Sequence, residues 1–361
     1  MNTIRVGIVG CGEVTQAIHL PTLAFLRHRF TVTALCDAAP AVVAAVARRW
    51  GVPAAGTDPE QLIARGDVDA VLVANPNAFH AETTLAAVAA GKHVLVEKPL
   101  CLGMREARAV VAAEATGDVI VQVGYMRRYA GAFGEASRLL AGFPPVRLAR
   151  LHAVLGRNRL ILDQAHRIDR ADLSPALIAE GRAREAAAVA EMLGDDSALS
   201  RAAYLFLVTL NSHDFSVLRG LLGVPHGILY AARRGTTDSP WLSAALDYGS
   251  FVCHFETGFD EIARVDTFLE VHADDRVLRL EYDSPFVRNL ATRLRITARI
   301  EGGGVTDTAS QISWEDPFTS EWTAFHDAVV SGVRSPTTPA DALEDLVLAR
   351  DLVAAMSSVT G

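Results

Sequence analysis

The sequence predicts an α/β protein in which a doubly wound parallel sheet comes first and an α+β region with a large, open, mainly antiparallel sheet follows. In the first half, short apolar runs alternate with helical patterns, as in βαβ units with parallel strands. In the second half, alternating strand patterns follow one another, separated by turn candidates such as Gly302-Gly303-Gly304. The length of 361 residues and the hydrophobic content of 50% fit two domains with substantial cores.

Composition excludes several classes of protein. The net charge of -8 comes from mixed acids and bases, and a nucleic-acid partner would need a clustered basic face. The cysteines and histidines show no metal-ligand spacing, so we expect neither a metal site nor a disulfide framework. No run of eighteen apolar residues and no leader pattern is present, which predicts a soluble, cytoplasmic protein without a membrane partner.

A glycine-rich turn follows the first apolar run. Ile4 to Val9 reads as a strand, Gly10-Cys11-Gly12-Glu13-Val14-Thr15 follows, and a helical pattern begins at Ala17. Strand, glycine turn and helix in this order predict a dinucleotide site: Gly10 permits the tight turn, and Gly12 lets a pyrophosphate approach the helix N-terminus. Glu13 and Val14 would then contact the cofactor. A glycine turn in some other α/β protein is the alternative.

Asp37 ends the second strand pattern, Thr31 to Cys36. It lies about 25 residues after Gly12, close to where a carboxylate meets the ribose hydroxyls of a bound dinucleotide. Ala38 and Ala39 follow, so no arginine stands ready for a 2′-phosphate, and NAD is favoured over NADP. Asp37 could instead only cap the helix that starts near Pro40.

Two later strands also end in polar residues. Ala70 to Ala74 is followed by Asn75-Pro76-Asn77, and His93 to Val96 is followed by Glu97-Lys98-Pro99. Carboxyl ends of parallel strands share one edge, where open α/β sheets bind ligands. A partly desolvated Lys98 beside a nicotinamide ring would have a lowered pKa suited to proton transfer. The alternatives are a turn role for Asn77 and a solvent-exposed Lys98.

These motifs, together with His80 and the segment Gly124-Tyr125-Met126-Arg127-Arg128-Tyr129, resemble the Gfo/Idh/MocA oxidoreductase family, most closely its myo-inositol dehydrogenase-like branch. The resemblance implies a Rossmann domain and NAD(P)-dependent hydride transfer at a secondary alcohol, with Lys98 bonded to the reacting oxygen. It also implies a cis Lys98-Pro99 bond. It further assigns to the cofactor site Asn75, Pro76, Asn77, His80, Glu97, Lys98 and Arg127. Tyr125, Met126 and Arg127 are assigned to the substrate pocket.

His213 is the second catalytic candidate, through the same resemblance. The segment from Thr209 to His213 is similar to the family's Asp-x-x-x-His pattern, but Thr209 stands where the aspartate belongs. Ser216 also stands where many members have an aspartate, three residues after the histidine. Ala130 follows Tyr129 where the inositol branch has an acid. These departures argue against a simple inositol dehydrogenase. We assign Thr209, Asn211 and His213 to the substrate site, although a lone helical histidine is often only structural.

The predicted domains are a Rossmann dinucleotide-binding domain at 1–124, an α+β substrate and oligomerisation domain at 125–335, and a C-terminal helix at 336–361 packing near the domain junction. A helical insertion from Arg157 to Arg201 is expected to be structural or to shape the substrate site. Its main helix should begin at Ser174-Pro175 and end at Gly194, with a buried stripe of Leu177, Ile178, Val189, Met192 and Leu193. A flat sheet that is apolar on both sides must be covered, so we expect its outer face to form a subunit interface. This predicts a homo-dimer or homo-tetramer.

The predicted function is NAD-dependent hydride transfer between nicotinamide and a secondary alcohol or ketone of a sugar, cyclitol or similar polyol. Two alternatives remain open at this point. One is an NAD-binding sensor or accessory protein without turnover, suggested by the missing aspartate at position 209. The other is a lyase or glycosidase in which bound NAD is reduced and reoxidised without net change.

Overall fold

The computed structural model describes residues 3–194 and 197–357. Within them the strands are, in chain order, β1 (Ile4–Val9), β2 (Phe30–Cys36), β3 (Ala54–Gly56), β4 (Ala70–Val73), β5 (His93–Glu97), β6 (Val121–Gly124), β7 (Leu148–Leu155), β8 (Gly227–Gly235), β9 (Pro240–Asp247), β10 (Val252–Phe259), β11 (Val265–His272), β12 (Arg276–Tyr282), β13 (Arg293–Arg299) and β14 (Val305–Ser310). The α-helices are α1 (Leu20–Phe25), α2 (Pro40–Trp50), α3 (Pro59–Ile63), α4 (His80–Ala89), α5 (Met104–Thr116), α6 (Gly131–Leu140), α7 (Arg159–Ala165), α8 (Pro175–Leu193), α9 (Ala198–Phe206), α10 (Ser212–Leu222), α11 (Pro317–Ser331) and α12 (Pro339–Ser357).

These residues fall into two compact units. The first contains 3–125, 162–194 and 321–346, and the second contains 126–161, 197–320 and 347–357. This division differs from the sequential one predicted at 1–124, 125–335 and 336–361, because most of the helical insertion and the segment 321–346 group with the first unit. The functional roles given to the predicted domains stay predictions.

The first unit contains a six-stranded parallel sheet with the order β3-β2-β1-β4-β5-β6. Neighbouring strand ends are in register, since Val9 pairs with Cys36 on one side and with Val73 on the other. The chain reverses direction across the sheet between β1 and β4, which is the place where open α/β sheets leave a crevice for ligands. The predicted parallel α/β sheet is confirmed.

Aromatic residues from the third segment explain why 321–346 belongs to this unit. Trp322 and Phe325 are fully buried in a core cluster with residues of β1, β2 and α2, such as Ile8, Phe30 and Val43. The rings of Trp322 and Phe30 meet edge to face, with centroids 5.1 Å apart. The burial of these two large aromatic side chains stabilises the packing of 321–346 against the first sheet. The segment therefore belongs to the first unit although it is distant in sequence.

The second unit contains an eight-stranded sheet with the order β14-β13-β12-β11-β7-β10-β9-β8. Its pairs are antiparallel except for β7 and β10, so the prediction of a mainly antiparallel sheet is confirmed. The sequence patterns at 251–255, 265–272, 277–282 and 294–300 correspond to strands β10 to β13, whereas β8, β9 and β14 were not predicted. Exposed Leu229 and Tyr230 in β8 blur the alternation that would have marked it as a strand.

One prediction about this sheet is wrong. The central strands are apolar on one face, where Leu151, Leu269 and Val271 are buried, but their other face is charged. There Phe268 is stacked against His152, with ring centroids 4.9 Å apart, and lies 3.5 Å below the guanidinium of Arg279. Ion pairs thus cover this face, which was expected to be apolar.

Helix α8 begins and ends as predicted. Ser174 accepts a hydrogen bond from the backbone N–H of Leu177, and Gly194 has a positive φ of 67° after the last turn. Val189 and Met192 are buried as expected, but Ile178 is 41% exposed, so the predicted stripe is wrong at its N-terminal end. That half of the helix is solvated apart from the residues that face the cavity described below.

Candidate functional site

The functional side chains of the first unit follow the ends of neighbouring strands. Gly10 comes directly after β1, Asp37 after β2, Asn75 two residues after β4, and Lys98 after β5. Because these strands are parallel and paired in the order β2-β1-β4-β5, the four residues lie along one edge of one sheet. This is the arrangement expected from the sequence.

Two glycines form the turn after β1. Gly10 has a φ of +100°, and a Cβ there would lie 2.3 Å from the carbonyl carbon of Ala74. The turn therefore requires glycine for both its backbone conformation and its close approach to the loop after β4. At Gly12, by contrast, a Cβ would meet nothing within 4 Å. The open space there is what a phosphate group needs in order to approach the backbone.

Asp37 holds the turn in place. Its Oδ2 accepts a hydrogen bond of 2.7 Å from the backbone N–H of Cys11, and its Oδ1 accepts one of 2.8 Å from the N–H of Ala39. The second bond is the local capping interaction considered as the alternative role. Each carboxylate oxygen can accept more than one hydrogen bond, so both oxygens retain capacity for ribose hydroxyls.

Asn75 and His80 connect the loops after β4 and β5. The ring nitrogens of His80 lie 2.7 Å from the carbonyl oxygens of Asn75 and Pro99, and the ring is buried. Burial lowers the pKa of His80, and its bonds to the two carbonyls oppose that effect. Asn75 donates to Thr83, while its Oδ1 is buried without a hydrogen-bond partner among the described residues. An orphaned buried acceptor at a sheet edge points to a missing ligand group.

Lys98 follows a buried acid, Glu97. The Lys98-Pro99 bond is cis, as the resemblance implied. Glu97 Oε1 lies 2.9 Å from Nε2 of His19, and the indole N–H of Trp322 donates to Nδ1 of the same ring over 3.1 Å. Because an indole only donates, Nδ1 accepts from Trp322, and Nε2 is the ring nitrogen that faces Glu97.

The Glu97 carboxylate remains ionised in this environment. Burial by itself raises the pKa of Glu97, but the hydrogen bond from His19 and nearby positive charge, including Lys98, outweigh it and hold the pKa below its usual value. Glu97 also accepts a bond of 3.2 Å from the backbone N–H of Lys98. The acid thus anchors the start of the loop that contains Lys98 and places a negative charge beside Lys98.

A cavity of about 980 Å³ opens along this strand edge, entirely within the first unit. Its lining includes seven of the residues predicted to bind the cofactor, namely Gly10, Gly12, Glu13, Val14, Asp37, Asn75 and Pro76. The predicted residues Asn77, His80, Glu97 and Lys98 lie outside the lining. The insertion contributes another part of the wall through residues 168–173, Leu177 and Arg184. Its expected role, structural or substrate-shaping, stays a prediction, and part of the insertion lines this cavity.

In the second unit Arg127 forms a buried ion pair. Its guanidinium donates to Oδ1 of Asp214 and lies 5.0 Å from the ring centroid of Tyr282, whose hydroxyl donates to the Arg127 carbonyl. Asp214, the residue after His213, is therefore paired with Arg127. The assignment of Arg127 to cofactor and substrate stays a prediction.

His213 lies in the first turn of α10, which follows a π-helical segment, Leu207–Asn211. Such segments are frequent at functional sites. Within this one, the Thr209 hydroxyl donates to the carbonyl of Leu205 over 2.6 Å, and Asn211 is buried with its amide bonded to Asp214 and Thr257. The threonine that replaces the family aspartate therefore bonds to its own helix.

Comparison with known proteins identifies the first unit. Residues 4–125 match the family described as "Oxidoreductase family, NAD-binding Rossmann fold", GFO_IDH_MocA. Residues 4–125 are thus similar to the NAD-binding region of the Gfo/Idh/MocA family.

A curated relative of this Gfo/Idh/MocA region is inositol 2-dehydrogenase 2 of Saccharopolyspora erythraea, 38% identical over 153 residues, which are 42% of this chain and 45% of that protein. The chain thus matches less than half of that relative's length. Two solved structures share the fold: levoglucosan dehydrogenase with NADH and L-sorbose (TM-score 0.76, 17% identity, 99% and 98% of the chains) and a 3-ketoreductase from Actinomadura kijaniata with NADP and TDP-benzene (TM-score 0.72, 20% identity, 99% and 98%).

Several residues of this site were not predicted from the Gfo/Idh/MocA motifs. Gln16, His19 and Trp322 in the first unit and Asp345, which accepts a hydrogen bond from the Tyr125 hydroxyl, were not assigned. Two of them carry a signal that could have been used: Gln16 and His19 are polar residues on the buried side of the helix after the glycine turn. Tyr125 is 1% exposed, and its bond to Asp345 favours a structural role; Met126 is also buried.

No group of three or more potential metal ligands occurs in the residues that the structure describes. Over the same residues, no helix is both long and apolar enough to cross a bilayer. The burial of Cys36 and Cys253 raises the pKa of each thiol to about 12. These thiols are therefore poor nucleophiles at neutral pH.

Proposed function

We propose that the protein is an NAD-dependent oxidoreductase that transfers a hydride between nicotinamide and a secondary alcohol or ketone of a sugar, cyclitol or similar polyol. The observation that carries this proposal is the cavity at the sheet edge, in which the glycine turn, Asp37 and Asn75 line one space. The strand that precedes Lys98, β5, belongs to the same sheet. The inositol and sugar dehydrogenases among the relatives and structural neighbours support the substrate class.

The residues present fit a dinucleotide. Gly12 leaves room for a diphosphate beside the N-terminus of the helical segment that follows the turn. Asp37 has acceptor capacity for ribose hydroxyls. Oδ1 of Asn75 has no hydrogen-bond partner among the described residues and would accept a hydrogen bond from the dinucleotide. When bound, the nicotinamide supplies the hydride-accepting carbon. The protein's own residues supply binding, orientation and proton transfer.

In this proposal Lys98 is the residue that bonds the reacting oxygen and transfers its proton. A carbinol oxygen must lose its proton as the hydride leaves the adjacent carbon, and a lysine held beside ionised Glu97 is positioned to take part. His213 assists as acid or base. Met126, Arg127, Thr209 and Asn211 are the proposed substrate residues, and the missing aspartate at Thr209 would alter the hydroxyl pattern that is recognised.

NAD is the proposed cofactor rather than NADP. Asp37 lies at the ribose position with both oxygens already bonded to backbone N–H groups, so its negative charge is fixed there. A 2′-phosphate would approach that charge. The side chains that follow, Ala38 and Ala39, offer no compensating cation.

We further propose a cytoplasmic homo-dimer or homo-tetramer formed through the second-unit sheet. Charged residues on that sheet face, including Arg150 and Glu270, would provide polar contacts in such an interface. Size-exclusion chromatography with light scattering in low and high salt tests this, and a monomer at all concentrations would contradict it.

The test of activity is a screen for NADH formation from sugars, cyclitols and other polyols, together with NADH oxidation by keto-sugars. We expect turnover with at least one member and loss of turnover in Lys98→Met. Tight NADH binding without turnover on any member of the panel would contradict the dehydrogenase proposal and favour a sensor.

A further inference from the structure

The charge around the nucleotide cavity is unusual for a site that takes a diphosphate. The carboxylates in its lining are Glu13, Asp37, Glu60, Glu82, Asp169 and Asp172, whereas its only guanidiniums among the described residues are those of Arg170 and Arg184. A dinucleotide brings two negative phosphates into this space. Like charges in a partly enclosed cavity repel one another over several ångströms, so the acids need compensation.

Both guanidiniums come from the inserted segment 162–194. Arg170 donates from Nε and Nη2 to Oε1 of Glu13, over 3.0 and 2.7 Å, and its Nη2 also lies 3.4 Å from Asp163. Arg184 donates to Glu82 and to Glu180, and its guanidinium lies 4.6 Å from the ring centroid of Phe79. Each cation is thus paired with an acid that lines the same cavity.

Glu13 is the acid that matters most for a diphosphate. It directly follows Gly12, where the open space lies, in the turn that would receive the phosphates. An uncompensated carboxylate at that position would oppose an anion at the helix N-terminus. The glycine turn by itself therefore supplies an approach route, but also a repulsive charge.

The inserted segment is firmly attached beside this turn. The side-chain amide of Gln16 accepts the backbone N–H of Asp169 and donates to the carbonyls of Asp169 and Cys11, with distances of 2.7 to 2.8 Å. Arg49 donates to the Asp169 carboxylate and to the carbonyl of Arg167. Since Gln16 is 4% exposed and bonds the turn as well as the segment, the position of Arg170 is fixed relative to the turn.

We propose that the insertion is a cofactor-binding element and that Arg170 neutralises Glu13, so that the turn accepts the diphosphate of NAD(P). This rests on the proposed dinucleotide site and adds to it a positive charge that the glycine motif lacks. Arg184 does the same for Glu82 at the outer wall. Neither Arg170 nor Arg184 belongs to the motif residues from which the site was predicted.

The experiment measures NADH affinity directly, by fluorescence titration of the full-length protein, for wild type, Arg170→Ala, Arg170→Lys, Glu13→Gln and the double variant Arg170→Ala with Glu13→Gln. We expect Arg170→Ala to raise Kd about tenfold in low salt, because the repulsion is then unscreened, and the defect to shrink to about threefold in ~0.5 M NaCl. Arg182→Ala is the matched control, an exposed arginine of helix α8 in the same insertion and outside the cavity lining.

Recovery separates charge compensation from simple loss of structure. Arg170→Lys and the double variant should bind NADH within about threefold of wild type, since both remove the uncompensated negative charge. An unchanged Kd in Arg170→Ala, or a double variant as weak as Arg170→Ala, would refute the role of Arg170. If wild-type protein binds no NADH at all, the dinucleotide site itself is refuted, which is a different result.

Discussion

Replacement of Asp37 by asparagine tests the centre of the proposed cofactor site. The carboxylate makes two backbone hydrogen bonds, to the N–H groups of Cys11 and Ala39, and is proposed to accept the ribose hydroxyls as well. Asparagine has nearly the same shape but only one acceptor oxygen. Its NH₂ group would face one of the two N–H donors and could not accept a ribose hydroxyl on that side.

The magnitude follows from the bonds that are lost. A hydrogen bond to a charged group contributes about 1.5 to 3 kcal/mol, which corresponds to a rise of roughly 10- to 150-fold in the Kd for NAD. The loss of one backbone bond should also reduce the free energy of unfolding by about 1 kcal/mol. NADP should be weakened much less, because the change also removes a negative charge that would repel the 2′-phosphate.

The assay is a titration of NADH and NADPH followed by protein or cofactor fluorescence, with thermal unfolding measured in parallel. Asp58→Asn is the matched control, since Asp58 accepts the N–H of Glu60, two residues on, in the way that Asp37 accepts the N–H of Ala39, but lies outside the cavity lining. It should lower stability without changing Kd. A change in NADH affinity below threefold, or equal weakening of both cofactors, would refute the reasoning.

Three further predictions address the glycine turn and the Lys98 loop. Gly12→Ala should fold with nearly normal stability yet bind NADH at least tenfold more weakly. Gly10→Ala should lose about 2 kcal/mol or more of stability, because its Cβ would overlap the Ala74 backbone. Comparable unfolding curves for the two variants would contradict this. Lys98→Arg should lower kcat by about 100-fold or more with NADH affinity retained, and steady-state rates beside fluorescence titrations measure both quantities. Glu97→Gln should be less stable than wild type at pH 7 by about 1.5 to 3 kcal/mol. The pKa of Glu97 is lower in the folded protein than its unfolded value near 4.5. The stability difference between wild type and Glu97→Gln is therefore complete above about pH 4.5 and declines as the pH falls through the lower folded pKa. A difference in Tm that stays constant down to about pH 3 would contradict the assignment.

The edge of the first sheet was predictable because its signals are local. A glycine that needs a positive φ, an acid at a strand end and a polar residue after the next strand are each encoded within a few residues. Parallel pairing then brings strand ends together without further information. The same reasoning gave the bounds of α8 from a serine cap and a terminal glycine.

Other elements were missed where local pattern and tertiary contact disagree. Strands β8 and β9 carry exposed aromatic and aliphatic side chains, Tyr230 and Trp241, so the period of two was obscured. The charged face of the second sheet was missed for a different reason. Ion pairs such as that of Arg279 with Glu270 form between neighbouring strands, and their register cannot be read from one strand alone.

The sequence by itself determined the strands that carry the site, the glycine turn, Asp37 and the Lys98 loop, because each depends on residues adjacent in the chain. Only the tertiary structure decided what surrounds them. It brings together residues distant in sequence, such as His19 with Glu97 and Trp322, and Arg170 with Glu13. Such contacts depend on which apolar faces are buried together, and that is settled by packing of the whole unit rather than by any local pattern.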